Sequence, residues 1–181
     1  MEKDIIEVEL RGQISKKKFI RVSEYLRQNC DSYKEDNKIT YFFITTGFIL
    51  KVTDEETKQK AKITVKTGDE TQSVLKEFDI QIPRKSIEDA VFLFKNIGFG
   101  KVNKVEQTRT NYECNGISVA MKYTADWGYH FEADIEVKST DEAKTKKTQL
   151  RQFCKKLNIV PMTPKEIRNK IEQINKSHGF I

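Results

Sequence analysis

The sequence predicts an α+β fold, an eight-stranded closed antiparallel β-barrel (a tunnel) with helices packed outside. Three observations carry this expectation. Eight short stretches alternate polar and apolar residues with period two or read as short apolar runs. Most of them are joined by short turns. A few longer stretches carry helical spacing instead and fall between or after the strands.

Taken in chain order, Ile5 to Arg11 is the first strand. Ser15 to Asn29 then places Phe19, Val22 and Leu26 on one helical face, with Ser15 as N-cap. Strands follow at Ile39 to Thr45 and Phe48 to Thr53, around a tight turn at Thr46-Gly47, and at Lys60 to Lys66 and Ser73 to Ile82. A second helix, Ser86 to Ile97, carries Ile87, Ala90, Val91 and Phe94. Lys101 to Tyr112 and Ile117 to Thr124 flank Asn115-Gly116, a pair suited to a type I′ hairpin. Tyr129 to Val137 closes the set of strands. Helices are expected at Asp141 to Leu157 and, after Pro161, at Thr163 to Lys176 with Ile167, Ile171 and Ile174 on one face.

The chain has 181 residues, 37% of them hydrophobic, with no internal repeat and three prolines, so one domain over residues 1–181 is expected. A net charge of +6 favours anionic partners such as nucleotides, polyphosphate or nucleic acid. Cys30, Cys114 and Cys154 are odd in number and far apart, with no CxxC pair, which fits a reducing cytosol. The opening Met1-Glu2-Lys3-Asp4 lacks a signal-peptide core, and no apolar run is long enough for a membrane helix. A soluble, cytoplasmic protein with no membrane partner is the expectation.

The strand faces carry the chemistry, because side chains at i, i+2 and i+4 project together. Glu7, Glu9 and Arg11 share one face of the first strand, against Ile6, Val8 and Leu10 on the other. His130, Glu132, Asp134 and Glu136 share a face of the last strand. Three carboxylates in a row repel one another unless a cation offsets them, and a divalent metal with oxygen ligands, Mg²⁺ or Mn²⁺, is the simplest such cation. Cationic faces lie between: Lys62, Thr64 and Lys66 on one strand, Lys51 on another, and Gln107 with Arg109 on a third. Such segregation suits a lumen that binds a metal-complexed triphosphate, with lysine or arginine on the phosphate oxygens. The plainer alternative is a solvated outer face of a lysine-rich barrel.

These residues resemble a known family. Glu7 to Arg11, EVELR, is similar to the ExExK signature of the CYTH, or triphosphate tunnel metalloenzyme, superfamily, which includes class IV adenylate cyclases and thiamine triphosphatases. The likeness continues through ILKVT around Lys51, ITVKTGD around Lys66, and the block from Gly98 to Val137, where the closing acidic pair falls on Glu132 and Asp134 with Glu136 as an extra acid. The resemblance implies an eight-stranded tunnel and a metal held by Glu7, Glu9, Glu132, Asp134 and Glu136. It implies catalytic roles for Glu7, Glu9 and Arg11, and phosphate contacts from Arg11, Lys51, Lys66 and Arg109, with Lys62 as an addition.

Two positions depart from the family pattern. Gln107 stands where a basic residue is usual, and Lys122 where an aspartate is usual. Lys122 would add a phosphate contact in place of a metal ligand. His130 is expected as a partner for a neighbouring carboxylate, and Trp127 and Tyr129 as packing residues around Gly128. The leading functional expectation is a divalent-metal-dependent triphosphatase acting on a small organic or inorganic triphosphate or polyphosphate. The alternatives are a class IV-type adenylate cyclase, a non-catalytic nucleotide or polyphosphate binder, and, least expected, an RNA-binding barrel.

Overall fold

Alternation fixes two faces for every strand, and the fold follows from which face finds apolar cover. A computed structural model describes residues 6–67 and 74–181. Its strands are β1 (Ile6–Gln13), β2 (Ser32–Glu35), β3 (Lys38–Phe43), β4 (Phe48–Glu55), β5 (Lys60–Thr67), β6 (Val74–Ile82), β7 (Val102–Cys114), β8 (Ile117–Thr124) and β9 (Gly128–Val137). The α-helices are α1 (Lys16–Asn29), α2 (Ile87–Asn96), α3 (Thr140–Lys156) and α4 (Pro164–Ser177). The antiparallel sheet runs β2-β7-β3-β4-β5-β6-β1-β9-β8, and β7 also pairs with β8.

The strand missing from the sequence reading is β2, which is short and exposed along its whole length. Its register against β7 continues without a break into β3: Glu35 faces Thr110 and Lys38 faces Gln107. The two behave as one strand interrupted at Asp36 and Asn37, where Asp36 N donates to Arg109 O at 2.9 Å and Arg109 N donates to Asn37 Oδ1 at 3.2 Å. Eight curled strands result.

The strand pairings run round a ring through β7 and β8, but the expected closed barrel is corrected to a half-barrel open along most of the β1–β6 seam. Among the described residues only Ile6, Glu7 and Val8 of β1 pair with β6, whereas Ile6 to Gln13 all pair with β9. Beyond Val8 another segment occupies the edge of β1. Met162 N donates to Arg11 O at 2.8 Å, so the chain after α3 covers an edge that a β6 extension would otherwise need. The crossing is close enough to demand glycine at Gly12, where a Cβ would lie 2.6 Å from Val160 O and 2.8 Å from the Phe131 ring.

The apolar strand faces point outward and are covered by helices. Val8, Val119, Met121, Phe131 and Ala133 pack with Val22 and Leu26 of α1 and Leu150 and Cys154 of α3 in one buried cluster. A second cluster joins Leu50, Val52 and Ala61 to Ile87 of α2, with Phe94 of the same helix set edge-on to Phe43. Burial of each such side chain stabilises by about 1.5–3 kcal/mol. Two expected caps are in place: Ser15 Oγ accepts from Lys18 N at 3.3 Å, and Thr163 with Glu166 forms a reciprocal capping box. Helix α3 instead begins after Ser139, two residues before the expected Asp141. Asn115 and Gly116 both adopt positive φ, 52° and 74°, as the predicted type I′ hairpin requires. No helix among the described residues is long and apolar enough to cross a membrane.

Cys30 and Cys114 form a disulfide, contrary to the expectation of three separate cysteines. The reason is topological. Cys30 ends α1 and Cys114 ends β7, and the β2–β7 pairing brings these distant positions together, with Asp31 N donating to Glu113 O at 2.8 Å. The bridge removes the ground for expecting a reducing cytosol. Cys154 remains a buried thiol, its pKa pushed up to about 12 by burial. Since the bridge spans 84 residues, replacing Cys114 with serine is expected to cost about 2–4 kcal/mol of stability. Equal denaturation midpoints for the oxidised and dithiothreitol-reduced protein would refute this.

Candidate active-site cavity

With the apolar faces turned to the helices, the charged faces meet inside the curl. They line a cavity of about 330 Å³ together with part of α4. Glu7, Glu9, Arg11, Lys51, Lys62, Lys66, Arg109, Lys122, Glu132 and Asp134, all named from the sequence, border this one space. Glu136 does not. It lies opposite Glu7 near the end of β9, is exposed, and faces solvent outside the cavity, so it is dropped from the candidate ligand set.

Most of the charges are paired across strands. Lys66 bridges Glu7 and Glu77, both at 2.6 Å. Arg11 Nη2 lies 2.5 Å from Glu9, and Lys62 pairs with Asp79 and, at 3.6 Å, with Glu77. Lys122 forms an ion pair with Glu132. Burial alone would raise the pKa of Glu9, but Arg11, Lys66 and Lys122 outweigh it and hold it near about 2. Burial likewise opposes the charge on Lys66, yet Glu7, Glu9 and Glu77 push its pKa above the usual lysine value.

Three groups are left out of this pairing. Among the described residues, neither Lys51 nor Arg109 has a carboxylate within ion-pair distance. Burial, followed by repulsion from Lys66, lowers Lys51 to about 8 against the pull of Glu77. The Arg109 guanidinium is held by Asn111 Oδ1, whose amide donates at 3.0 Å to the buried Asp36. On the acidic side, Asp134 has no ion-pair partner among the described residues. Burial, then repulsion from Glu7 and Glu9, raises it to about 7 despite Arg109 and Lys122.

The donors present fit a hard divalent cation in chemistry. Glu7, Glu9 and Asp134 offer only oxygens, and the mutual repulsion that raises Asp134 is what such an ion relieves. They are not gathered as ligands: among the described residues no three Asp, Glu, His or Cys side chains converge on one point. Gathering them requires Glu9 to leave Arg11 and Glu7 to leave Lys66. Glu132 is engaged by Lys122.

Several lining residues were not among the site residues expected from the sequence. Glu77 shares a strand face with Asp79 and Gln81, against Phe78, Ile80 and Ile82, and that alternation was available as a signal. Asp126, in the β8–β9 turn, accepts from Asn103 at 3.1 Å and contacts His178 at 3.0 Å. Ile171, Ile174 and Asn175 of α4 complete the wall. His130 is not the carboxylate partner expected. Its Nδ1 donates to Gly128 O at 2.9 Å, and burial together with Lys122 lowers it to about 3, leaving a neutral imidazole.

No curated protein sequence matches this chain. Among solved structures, a conserved hypothetical protein from Pyrococcus furiosus is similar at 24% identity and TM-score 0.67, covering 85% of this chain and 91% of its own. A candidate adenylate cyclase from Vibrio parahaemolyticus is similar at 16% identity and TM-score 0.64, over 84% and 88%. So is a candidate adenylyl cyclase from Hippeastrum described as having a dominant triphosphatase activity, at 16% identity and TM-score 0.60, over 87% and 89%. These likenesses establish the fold. The CYTH domain model matches residues 6–164, and with the acidic and basic strands facing one cavity, the chain belongs to the CYTH domain family.

Proposed function

We propose that the cavity binds a small triphosphate and hydrolyses it with a divalent metal, Mg²⁺ or Mn²⁺. The observation that carries this reading is positive charge in the lumen left without a carboxylate: among the described residues Lys51 and Arg109 border the cavity with none in ion-pair range, beside Arg11, Lys66 and Lys122. A row of oxyanions is the ligand that satisfies them. Membership of the family and the activity described for the Hippeastrum relative support the same substrate chemistry.

In this reading Glu7, Glu9 and Asp134 hold the metal, which when bound supplies Lewis-acid neutralisation of the phosphoryl oxygens. Arg109, positioned by Asn111 and Asp36, and Lys51 would bind phosphate oxygens, with Arg11 and Lys66 as further phosphate contacts. Lys122, 4% exposed, neutralises Glu132 and adds positive charge beside Arg11 and Arg109. That pairing specifically favours a second reading, a binder without turnover, because it withdraws one acid from the metal side. Cyclisation of ATP is the third outcome of the same assay.

Incubation with tripolyphosphate, ATP or thiamine triphosphate, with Mg²⁺ or Mn²⁺, is expected to release phosphate. Folded protein that releases none from any of them eliminates the hydrolase reading; ligand-induced thermal stabilisation without turnover would leave the binder, and cyclic AMP would identify the cyclase. Replacing Arg109 with alanine is expected to lower kcat/KM by roughly 10²-fold.

The raised pKa of Asp134 fixes a second expectation. Its folded value of about 7 exceeds an unfolded value of about 4, so the folded state holds the proton more tightly, and this group's contribution to stability falls as pH rises from about 4 to 7. Asp134→Asn removes that titration. The variant should gain stability over the parent above pH 7, with the gain shrinking towards pH 4 in calorimetric melts without metal. A pH-independent difference would show that Asp134 titrates normally.

A further inference from the structure

The cavity has two chemically different ends, and the end away from the lysine–glutamate pairs carries most of the apolar lining. The register places the last residues of β3, the first of β7 and the β8–β9 turn at one end of the sheet: Phe42 faces Asn103, and Asn103 donates to Asp126 of the turn at 3.1 Å. Ile44 follows β3, and Trp127 sits beside Asp126 in the turn. Helix α4 closes over this end, held by His178 on Asp126 at 3.0 Å and by Lys101 Nζ on Phe180 O at 2.6 Å. Ile171 and Ile174 thereby border the same space as Lys51 and Arg109.

These apolar side chains are not consumed by packing. Phe42, Ile44, Trp127, Ile171 and Ile174 are all only half-buried, and each still presents surface to the cavity. The zone begins where the charged zone stops. Trp127 lies against the neutral ring of His130, with centroids 5.7 Å apart, and His130 is the cross-strand partner of Lys122. A chain of phosphates on Lys122, Arg109 and Lys51 would therefore carry whatever is attached to it towards Trp127 and the α4 isoleucines.

Tripolyphosphate has nothing to place there and would leave the apolar surface in water. A planar heterocycle can stack on Trp127 and bury the two isoleucines, while Asn175 offers hydrogen-bonding groups for its edge. We infer that Trp127 with Ile171 and Ile174 of α4 forms a head-group subsite selecting organic triphosphates that carry an aromatic heterocycle over inorganic tripolyphosphate. The inference rests on the triphosphatase reading and adds to it the part of the substrate beyond the phosphates. It also concerns a helix that lies almost wholly past the family match, which ends at residue 164.

The test compares kcat/KM for ATP, thiamine triphosphate, methyl triphosphate and tripolyphosphate on the full chain with Mg²⁺, for the parent and for Trp127→Ala and Ile174→Ala. At least one heterocyclic substrate should exceed both methyl triphosphate and tripolyphosphate by about tenfold or more, the range expected for one stacked ring. Both variants should lose that preference, chiefly through KM, with a several-fold smaller effect on tripolyphosphate. Tripolyphosphate cleaved as well as every heterocyclic substrate would overturn the inference and leave the triphosphatase reading standing. Variants that lower all four substrates equally while melting like the parent would also overturn it, assigning α4 to closing the cavity. If no substrate is cleaved or bound, both readings fall together. Ile174 lies on the half-buried face of a terminal helix, so Ile174→Ala keeps the comparison available should Trp127→Ala fail to fold.

Discussion

Burying charge inside a curled sheet is the constraint on which the remainder of the structure depends. An isolated carboxylate or ammonium cannot be withdrawn from water without a partner. This lumen meets the requirement by interleaving the two signs across strands distant in sequence. Lys66 of β5 reaches both Glu7 of β1 and Glu77 of β6, and Lys122 of β8 reaches Glu132 of β9. Glu9, almost fully buried, stays ionised because three cations surround it. Each pair also pins two strands at a fixed separation, so the charges that a ligand would meet hold the walls in register.

The price of a polar interior is that the apolar faces must be covered from outside. Helices α1 and α3 cover β1, β7, β8 and β9, and α2 covers β3 to β5, so the hydrophobic core is a shell divided into two clusters around the cavity. The segment after α3 then crosses β1 at Gly12, completing its edge through Met162 and Arg11 and launching α4 towards the cavity's apolar end. One crossing thus accounts for both the open seam of the half-barrel and the route of α4. The Cys30–Cys114 bridge ties the outer shell to the sheet where the end of α1 meets β7.

Period-two alternation made the strands and the inward faces legible. Glu7, Glu9, Arg11, Lys51, Lys66, Glu132 and Asp134 could be named because each stands beside an apolar neighbour on a recognisable strand, and Arg109, between Thr108 and Thr110, through the family resemblance. Alternation does not state where a face ends, which is why Glu136, on the same face as Asp134, was included although it lies beyond the cavity. It also does not state which charges pair. The partners of Lys66 are set by the neighbour relations of β5, β6 and β1, and those of Arg109 by the interruption between β2 and β3, neither of which has a local code. The disulfide was illegible for the same reason, since its cysteines meet only through the pairing of β2 with β7. The isoleucines of α4 were seen as an apolar helical face, but whether such a face meets a core or a cavity depends on the docking of the helix.

What distinguishes this lumen from a neutral interior is that its pairing is incomplete on purpose-built positions. Lys51, Lys122 and Arg109 each have pKa values pushed below the ordinary range, first by burial and then, for the two lysines, by neighbouring positive charge. Burial opposes the charged form of all three, and like charge adds to it for Lys51 and Lys122. A polyanion would oppose these shifts, because it brings negative charge to Lys51 and Arg109, which have no carboxylate in ion-pair range among the described residues, and to Lys122, which shares only Glu132. Asp134 carries the opposite tension, a carboxylate pushed up by burial and then by Glu7 and Glu9, which a further cation relieves. Lys51 and Arg109 call for an anion and Asp134 for a cation, so neither an anion alone nor a cation alone satisfies the cavity. It is satisfied by the two together, which is the charge distribution of a metal-bound polyphosphate.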